Sequence, residues 1–211
     1  MKHKPFNRHR RRHVREPRRV FYLFCEGQNT EPGYFAALRR VVRDAFIEIQ
    51  SFGAAGDPKA LSAAAIAHSK GLRRRSGNSF EEKDEVWAVF DRDDWNHYYD
   101  AIETCQKNGV KVANSNPCFE IWLILHVQEF HQACDRAEVN RVLRKLRADY
   151  DPVKKVLNFD ELISLLDDAE RRGEAVLKRR KEECGFGKLG PPYTMVFELT
   201  RSIRAAAKKF R

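Results

Sequence analysis

At 211 residues with 42% hydrophobic side chains, the chain is long enough to bury one substantial core without disulfide or metal staples. Its formal net charge of +10 is concentrated near the start, because residues 1–19 hold nine of the 40 Lys and Arg residues and one acidic residue, Glu16. Five scattered cysteines without a C-x-x-C pair argue against a disulfide framework, and the lack of an apolar run of about 20 residues argues against a membrane span, so we expect a cytoplasmic protein without membrane association.

The first predicted segment is a basic N-terminal arm, residues 1–19. Clustered cations bind phosphates by releasing counterions, whatever the base sequence, so the arm predicts nucleic acid, DNA or RNA, as a partner. An alternative interpretation is a disordered solubilising tail with no binding role. The arginines expected to contact the phosphate backbone are Arg8, Arg10, Arg11, Arg12, Arg15, Arg18 and Arg19.

Strands that alternate with helices are predicted after the arm. The run from Val20 to Cys25 is typical of a strand buried on both faces, and Thr30 is expected to cap a helix from about Pro32 to Arg43. Further strands are predicted at 46–52, 85–90 and 110–113, with helices at about 58–74 and 96–108 between them. This alternation predicts an α/β fold with a mainly parallel, four-stranded sheet flanked by helices.

The rest of the chain is predicted to be helical. Asn116 and Pro117 are expected to start a very apolar helix, FEIWLILHV, which completes an α/β domain over residues 20–135. Residues 136–211 are charged and are expected to form a helical extension packed on that domain. The segment CGFGKLGPP interrupts it, and because no strand precedes GFGKLG and no Ser or Thr follows its lysine, a flexible turn is expected there rather than a phosphate loop.

Three acidic residues come just after predicted strands: Glu26 after the first, and Asp91 with Asp93 after the third. Ligands of open α/β sheets bind at the carboxyl ends of the strands, and clustered carboxylates suit Mg²⁺ or Mn²⁺. Glu31, at the start of the first helix, is either an additional ligand for a second ion or a residue that complements the helix dipole. The same dipole explanation applies to Asp93.

Two polar residues fall within the apolar helix. Glu120 has two interpretations: it pairs with an arginine such as Arg92, or it reaches the acidic crevice at the exit of the fourth strand. His126 is interpreted as a buried, hydrogen-bonded histidine rather than as a general base.

The segments FCEGQNTEPGYF, VFDRDDW and SNPCFEIWLILH resemble the RloB-like proteins, a branch of the TOPRIM superfamily found beside restriction and phage-defence genes. The resemblance covers most of the chain and implies a TOPRIM, Rossmann-like fold. In that fold a glutamate after the first strand and an Asp-x-Asp pair after the third bind Mg²⁺, which implies metal-binding and catalytic roles for Glu26, Asp91 and Asp93. Glu31 approximately matches a further acidic residue of the nuclease-like relatives.

The function implied by the resemblance is a Mg²⁺- or Mn²⁺-dependent nuclease that acts in prokaryotic antiviral defence of the abortive-infection kind. The chain has no Walker motif, so any ATP dependence requires a separate partner, and the family's gene neighbourhood suggests an AAA-type or ABC-type ATPase. One alternative is a non-catalytic, nucleic-acid-binding regulatory subunit that holds a structural ion. Another is nucleotidyl transfer of the primase kind, for which no nucleotide pocket is evident.

Overall fold

A computed structural model describes residues 19–42, 45–52, 58–75, 83–92, 97–154, 157–185 and 188–208. The described strands are β1 (Val20–Cys25), β2 (Phe46–Ser51), β3 (Glu85–Asp91), β4 (Lys111–Asn116) and β5 (Tyr193–Thr194). The described helices are α1 (Thr30–Val41), α2 (Pro58–Arg75), α3 (Tyr98–Lys107), α4 (Glu120–Val127), α5 (Arg136–Leu146), α6 (Phe159–Ile163), α7 (Leu166–Cys184) and α8 (Val196–Lys208). Together they form a mixed α/β fold with a five-stranded, mostly parallel sheet.

The strand order is β2-β1-β3-β4-β5, and it creates a switch point in the sheet. β1 pairs in parallel with β2 on one side and with β3 on the other, so that Leu23 lies between Ile49 and Trp87. The chain therefore leaves β1 towards one edge, returns, and continues from β3 towards the opposite edge. Connections that diverge in this way leave a crevice at the carboxyl ends of the two central strands.

The predicted four-stranded sheet is wrong in two respects, because the described residues add a fifth strand and lengthen the fourth. β5 runs antiparallel to β4, with Thr194 opposite Ser115 and Tyr193 opposite Asn116. The hydroxyls of Ser115 and Thr194 lie 2.9 Å apart, so the polar end of β4 is buried and hydrogen-bonded rather than exposed as a loop. A short, polar segment such as Tyr193–Thr194 carries too little periodicity to be recognised as a strand.

Two predicted helix starts are also wrong. α1 begins two residues before the predicted Pro32, so Thr30 is its first residue and the cap position belongs to Asn29, whose carbonyl accepts a hydrogen bond from Gly33 N at 2.8 Å. Asn116 is the last residue of β4 rather than a helix cap, and α4 begins only at Glu120.

The core lies on both faces of the sheet. Along β1 the side chains alternate, with Leu23 and Cys25 packed against α1 and α4 and Phe24 packed against α2 and α3. The first of these two faces is the larger, because α5 to α8 add their apolar side chains to it. The C-terminal part of the chain thus shares the sheet's main core and contributes strand β5.

Helix α4 is the central helix of that larger face, and every residue from Glu120 to His126 is buried. His126 contacts the Tyr34 hydroxyl through Nε2 at 3.1 Å and the Trp122 carbonyl through Nδ1 at 2.8 Å, as the interpretation of a hydrogen-bonded core histidine requires. Arg172 of α7 donates from Nη1 to the carbonyls of Leu125 and His126 at 2.8 Å each. These bonds satisfy carbonyls that a helix C-terminus leaves without partners.

At the amino end of β3, a buried carboxylate joins three parts of the molecule. Glu85 is 6% exposed and accepts hydrogen bonds from Arg19, from Lys111 at 2.6 Å, from Trp87 Nε1 at 2.7 Å and from Ser202 at 2.9 Å. Arg19, one of the arginines expected to bind phosphate, therefore has an internal partner. The other arm arginines named above lie outside the described residues.

Candidate functional site

Glu26 and Asp91 meet at the switch point between β1 and β3. The Glu26 backbone N–H donates to Val89 O at 3.0 Å and extends the pairing of the two strands by one step. The Glu26 carboxylate then turns back and accepts a hydrogen bond from the Asp91 backbone N–H at 3.1 Å. The two acids predicted from the strand ends are thus neighbours, held by the backbone of the strands that carry them.

Glu31 is brought to the same place by the first turn of α1. It is 6% exposed, and its Oε1 accepts a hydrogen bond from Gly27 N at 3.2 Å. A Cβ atom added to Gly27 would lie 2.1 Å from Glu31 Oε2, so the carboxylate can approach the backbone only because residue 27 has no side chain. The interpretation of Glu31 as a member of the acidic group therefore has a geometric basis.

Glu120 enters the group from α4 and is 3% exposed. Tyr150 provides its hydrogen-bond donor, at 3.3 Å from Oε1, and the same hydroxyl lies 3.1 Å from Asn140 Oδ1. In the described part of the chain, Arg92 points elsewhere and donates to Leu189 O at 3.3 Å. Of the two interpretations of Glu120, the observed position is the one close to the acidic crevice.

The electrostatics of Asp91 reflect this crowding. Asp91 is 8% exposed, and its pKa is raised well above the usual range for an aspartate. Desolvation by burial is the largest cause, followed by the negative charges of Glu31 and Glu120, while Arg136 opposes them and Glu26 adds to them. The charges of three other carboxylates therefore act on Asp91: Glu26 after β1, Glu31 in the first turn of α1 and Glu120 at the start of α4.

Arg136 supplies a positive charge to this group. Its Nη2 donates to Asp91 Oδ2 at 3.3 Å, from the first residue of α5. A cation at a helix N-terminus opposes the helix dipole, so the position is unfavourable unless an anion lies in front of it. The Asp135 side chain caps the same helix by accepting from Glu138 N at 2.8 Å.

Two cysteine thiols beside the carboxylates, Cys25 and Cys118, are unsuited to act as nucleophiles. Burial, and then the charge of Glu31, raise the pKa of Cys25, while burial and then Glu120 raise that of Cys118. Both thiols are therefore protonated at neutral pH in the metal-free protein and are poor nucleophiles in that state. His126 is equally unsuited as a base, because burial lowers its pKa to about 4 and both ring nitrogens are occupied.

The profile of the RloB-like protein family matches residues 21–203, which is most of the chain. The chain belongs to the RloB-like protein family. No curated protein and no solved structure gave a significant match.

The matched range of this RloB-like protein contains all four carboxylates and Arg136. Their oxygen donors fit a hard divalent cation, and a buried carboxyl with a raised pKa, such as that of Asp91, is expected of a site that binds a cation. Within the residues that the structure describes, however, no three His, Cys, Asp or Glu side chains are grouped closely enough to hold a metal ion. Asp93, the third predicted ligand, lies outside those residues.

Several site residues of this RloB-like protein were not predicted from the sequence. Arg136 and Tyr150 come from the C-terminal half, and no short-range pattern links them to the strand ends. One weak feature of the sequence indicates Arg136: an arginine directly after an Asp cap occupies a position where the helix dipole disfavours a cation. Lys188 and Leu189, which were assigned to a flexible turn, contact residues at the same edge of the sheet.

Proposed function

We propose that this RloB-like protein is a Mg²⁺- or Mn²⁺-dependent nuclease of the TOPRIM type that cleaves phosphodiester bonds of nucleic acid. The observation that supports it best is the convergence of Glu26, Glu31, Asp91 and Glu120 at the switch point of the sheet. Such a concentration of negative charge destabilises the fold unless a cation binds there. Divalent cations in such sites activate water and stabilise the leaving oxygen in phosphodiester cleavage.

Glu26 and Asp91 would hold the ion, together with Asp93. Bound there, it would activate water and stabilise the leaving oxygen. The chain's own residues fix the carboxylates in advance: the Asp91 N–H orients Glu26, the Gly27 N–H orients Glu31, and the Tyr150 hydroxyl orients Glu120. Arg136 neutralises part of the charge on Asp91 in the absence of the ion.

The biological setting is part of the proposal and is supported by the family membership alone. We place the nuclease in the cytoplasm of a prokaryote, in antiviral defence, with a separate ATPase of the AAA or ABC type as its partner. The basic arm, residues 1–19, supplies phosphate contacts that do not depend on base sequence. In the described part of the chain, no helix is both long enough and apolar enough to cross a bilayer.

A cleavage assay with paired substitutions tests the proposal. Labelled single-stranded and duplex DNA and RNA are incubated with Mn²⁺, with and without the candidate ATPase. Glu26→Gln and Asp91→Asn remove charge but little volume, and each is expected to lower the cleavage rate roughly a hundredfold or more. Glu48→Gln, at an exposed position of β2, is the matched control and should cleave at the normal rate. A wild-type cleavage rate in either site variant, with folding verified by circular dichroism, would contradict the proposal.

A second function, a non-catalytic nucleic-acid-binding subunit with a structural ion, is favoured by one observation. Asp91 already has a cationic partner in Arg136, so part of the acidic group is neutralised without a metal. Calorimetric titration with Mn²⁺ alongside the cleavage assay separates the two functions. Binding of Mn²⁺ without cleavage of any substrate, even with the ATPase present, would favour this second function.

A further inference from the structure

The segment that leads into β5 crosses the carboxyl edge of β3 and β4. Leu189 O accepts hydrogen bonds from Arg92 Nη1 at 3.3 Å and from Asn116 Nδ2 at 3.4 Å. Arg92 directly follows Asp91 at the end of β3, and Asn116 ends β4. The segment is therefore anchored at the same sheet edge as the carboxylates, although about 97 residues separate Leu189 from Arg92 in the chain.

Two cations at this edge share one aromatic ring. Lys188 Nζ lies 4.5 Å from the centroid of the Tyr99 ring, and Arg92 Cζ lies 5.6 Å from it. Neither side chain forms an ion pair with a carboxylate among the residues that the structure describes. Each charge is attracted by the electron-rich ring but is not neutralised by it. An anion at this edge of the sheet would therefore be attracted by both cations.

The ring that holds them is itself fixed to the sheet. Tyr99 packs edge-on against Tyr98, with centroids 5.1 Å apart and planes at 84°. The Tyr98 hydroxyl contacts Tyr193 of β5 at 3.1 Å and Asn114 of β4 at 2.5 Å. The ring therefore gives both cations a fixed point of contact before any ligand arrives, and Arg92 has a second contact in its hydrogen bond to Leu189 O.

We propose that Arg92 and Lys188 form a phosphate-binding pair that holds the backbone of a nucleic-acid strand beside Glu26 and Asp91. The inference rests on the proposed function and adds a substrate subsite to it. An acidic group repels a polyanion, so a nuclease of this kind requires cations next to its carboxylates. Arginine contributes a planar fork that matches two phosphate oxygens, and lysine contributes a compact charge.

Binding assays without metal test this subsite separately from catalysis. The full chain is titrated in EDTA against labelled 20-nucleotide single strands and duplexes of DNA and RNA, and fluorescence anisotropy is measured at several salt concentrations. Lys188→Ala and Arg92→Ala are each expected to weaken binding roughly three- to tenfold. Each should also reduce the slope of log K against log salt by about 0.7 for a single strand or 0.9 for a duplex.

The control removes an equivalent charge from the opposite end of α3. Lys107→Ala deletes a lysine whose ion pair, among the described residues, is with its helix neighbour Glu103, whereas Tyr99 lies in the first turn of α3. Lys188→Glu provides a second test that leaves the bond from Arg92 to Leu189 intact, and it should weaken binding more than Lys188→Ala.

The outcomes separate the two proposals. If the wild-type chain binds nucleic acid but Lys188→Ala and Arg92→Ala keep its affinity and salt slope, the phosphate-binding pair is overturned while the nuclease proposal stands. If the wild-type chain binds none of the four oligonucleotides, the proposed substrate class is wrong, and the pair fails with it.

Discussion

Asp91 is held in an environment that its charged form tolerates poorly. The residue is buried, lies near three other carboxylates, and has one cationic partner, Arg136, on the described part of the chain. Functional sites commonly keep such groups at a cost in stability, because the arrangement that favours binding is not the one that favours folding. Because the pKa of Asp91 is raised, this cost can be measured as a dependence of the folding stability on pH.

We expect Asp91→Asn to stabilise the metal-free protein at neutral pH. A carboxyl group whose pKa is raised by folding contributes its full stability below the unfolded-state pKa, near 4, and loses it as the pH rises. The asparagine variant has no such loss, so its advantage in melting temperature should grow from pH 4 to pH 8. Thermal unfolding in EDTA measures this difference in melting temperature, and Asp160→Asn, at an exposed position, is the control. A variant that melts below the wild type at pH 8 would contradict this explanation.

Gly27 offers a way to displace a single carboxylate. In Gly27→Ala the new methyl group takes the place of Glu31 Oε2, and the flexible carboxylate moves away from the Gly27 N–H. We expect roughly tenfold weaker Mn²⁺ binding by calorimetry, the scale of effect seen when groups that orient metal ligands are lost. Gly71→Ala is the control, because open space surrounds that position within α2; it should keep Mn²⁺ affinity and gain about 0.5–1 kcal/mol of stability. Unchanged Mn²⁺ affinity in Gly27→Ala would show that Glu31 is not part of the binding site.

The helices and strands that the sequence predicts correctly are those whose pattern is contained within a short stretch of the chain. β1 and β3 are predicted correctly because buried parallel strands appear as continuous apolar runs, and Glu26 and Asp91 follow from the ends of those runs. The polar end of β4 is not predicted, since its burial depends on pairing with β5. Arg136 and Tyr150 are missed for the same reason: tertiary packing places them, and local periodicity does not.

The contact between α4 and α1 predicts an acid-sensitive step in stability. Folding lowers the pKa of His126 from 6.5 to about 4, mainly through burial, so the unfolded chain binds a proton more tightly in this range. Stability from the neutral histidine is complete above pH 6.5 and falls by roughly 3 kcal/mol as the pH drops to 4. Urea denaturation at pH 7, 6, 5 and 4 should show a smaller loss for His126→Gln. The exposed His97→Gln should behave like the wild type, and an equal loss in all three proteins would refute the assignment.

The two edges of the sheet, at the amino and carboxyl ends of its parallel strands, have different roles in the molecule. The carboxyl edge collects the acids, Arg136, Arg92 and Lys188, whereas the amino edge contains Glu85 with a full set of donors. Burial alone would raise the pKa of Glu85, but hydrogen bonds from Lys111 and Trp87 and the nearby positive charges lower it. Glu85 therefore joins the segment before β1, β4 and α8 into one unit.

We expect Glu85→Gln to cost roughly 2–3 kcal/mol of stability at neutral pH, because it leaves buried donors with a weaker acceptor. A depressed pKa contributes stability above the ordinary range for glutamate, so the difference from the wild type should shrink as the pH falls through about 4. Urea denaturation measures both effects, and Glu48→Gln on the exposed side of β2 should be neutral. Mn²⁺ affinity per folded molecule should not change, and a large change would mean that the two edges are coupled.

The pairing of β5 with the end of β4 affects the order in which the molecule is completed during synthesis. Residues 20–116, with the four parallel strands and two of the acids at their ends, are translated well before Lys188 and Tyr193. Chains generally fold from the N-terminus as they are made, so a nascent chain carries the acidic edge before it carries the cations from the late segment. The pairing of β5 with β4 and the placement of Lys188 at the carboxyl edge then occur together, late in folding. A chain interrupted before that step has the acids but lacks the lysine proposed to hold a nucleic-acid strand against them.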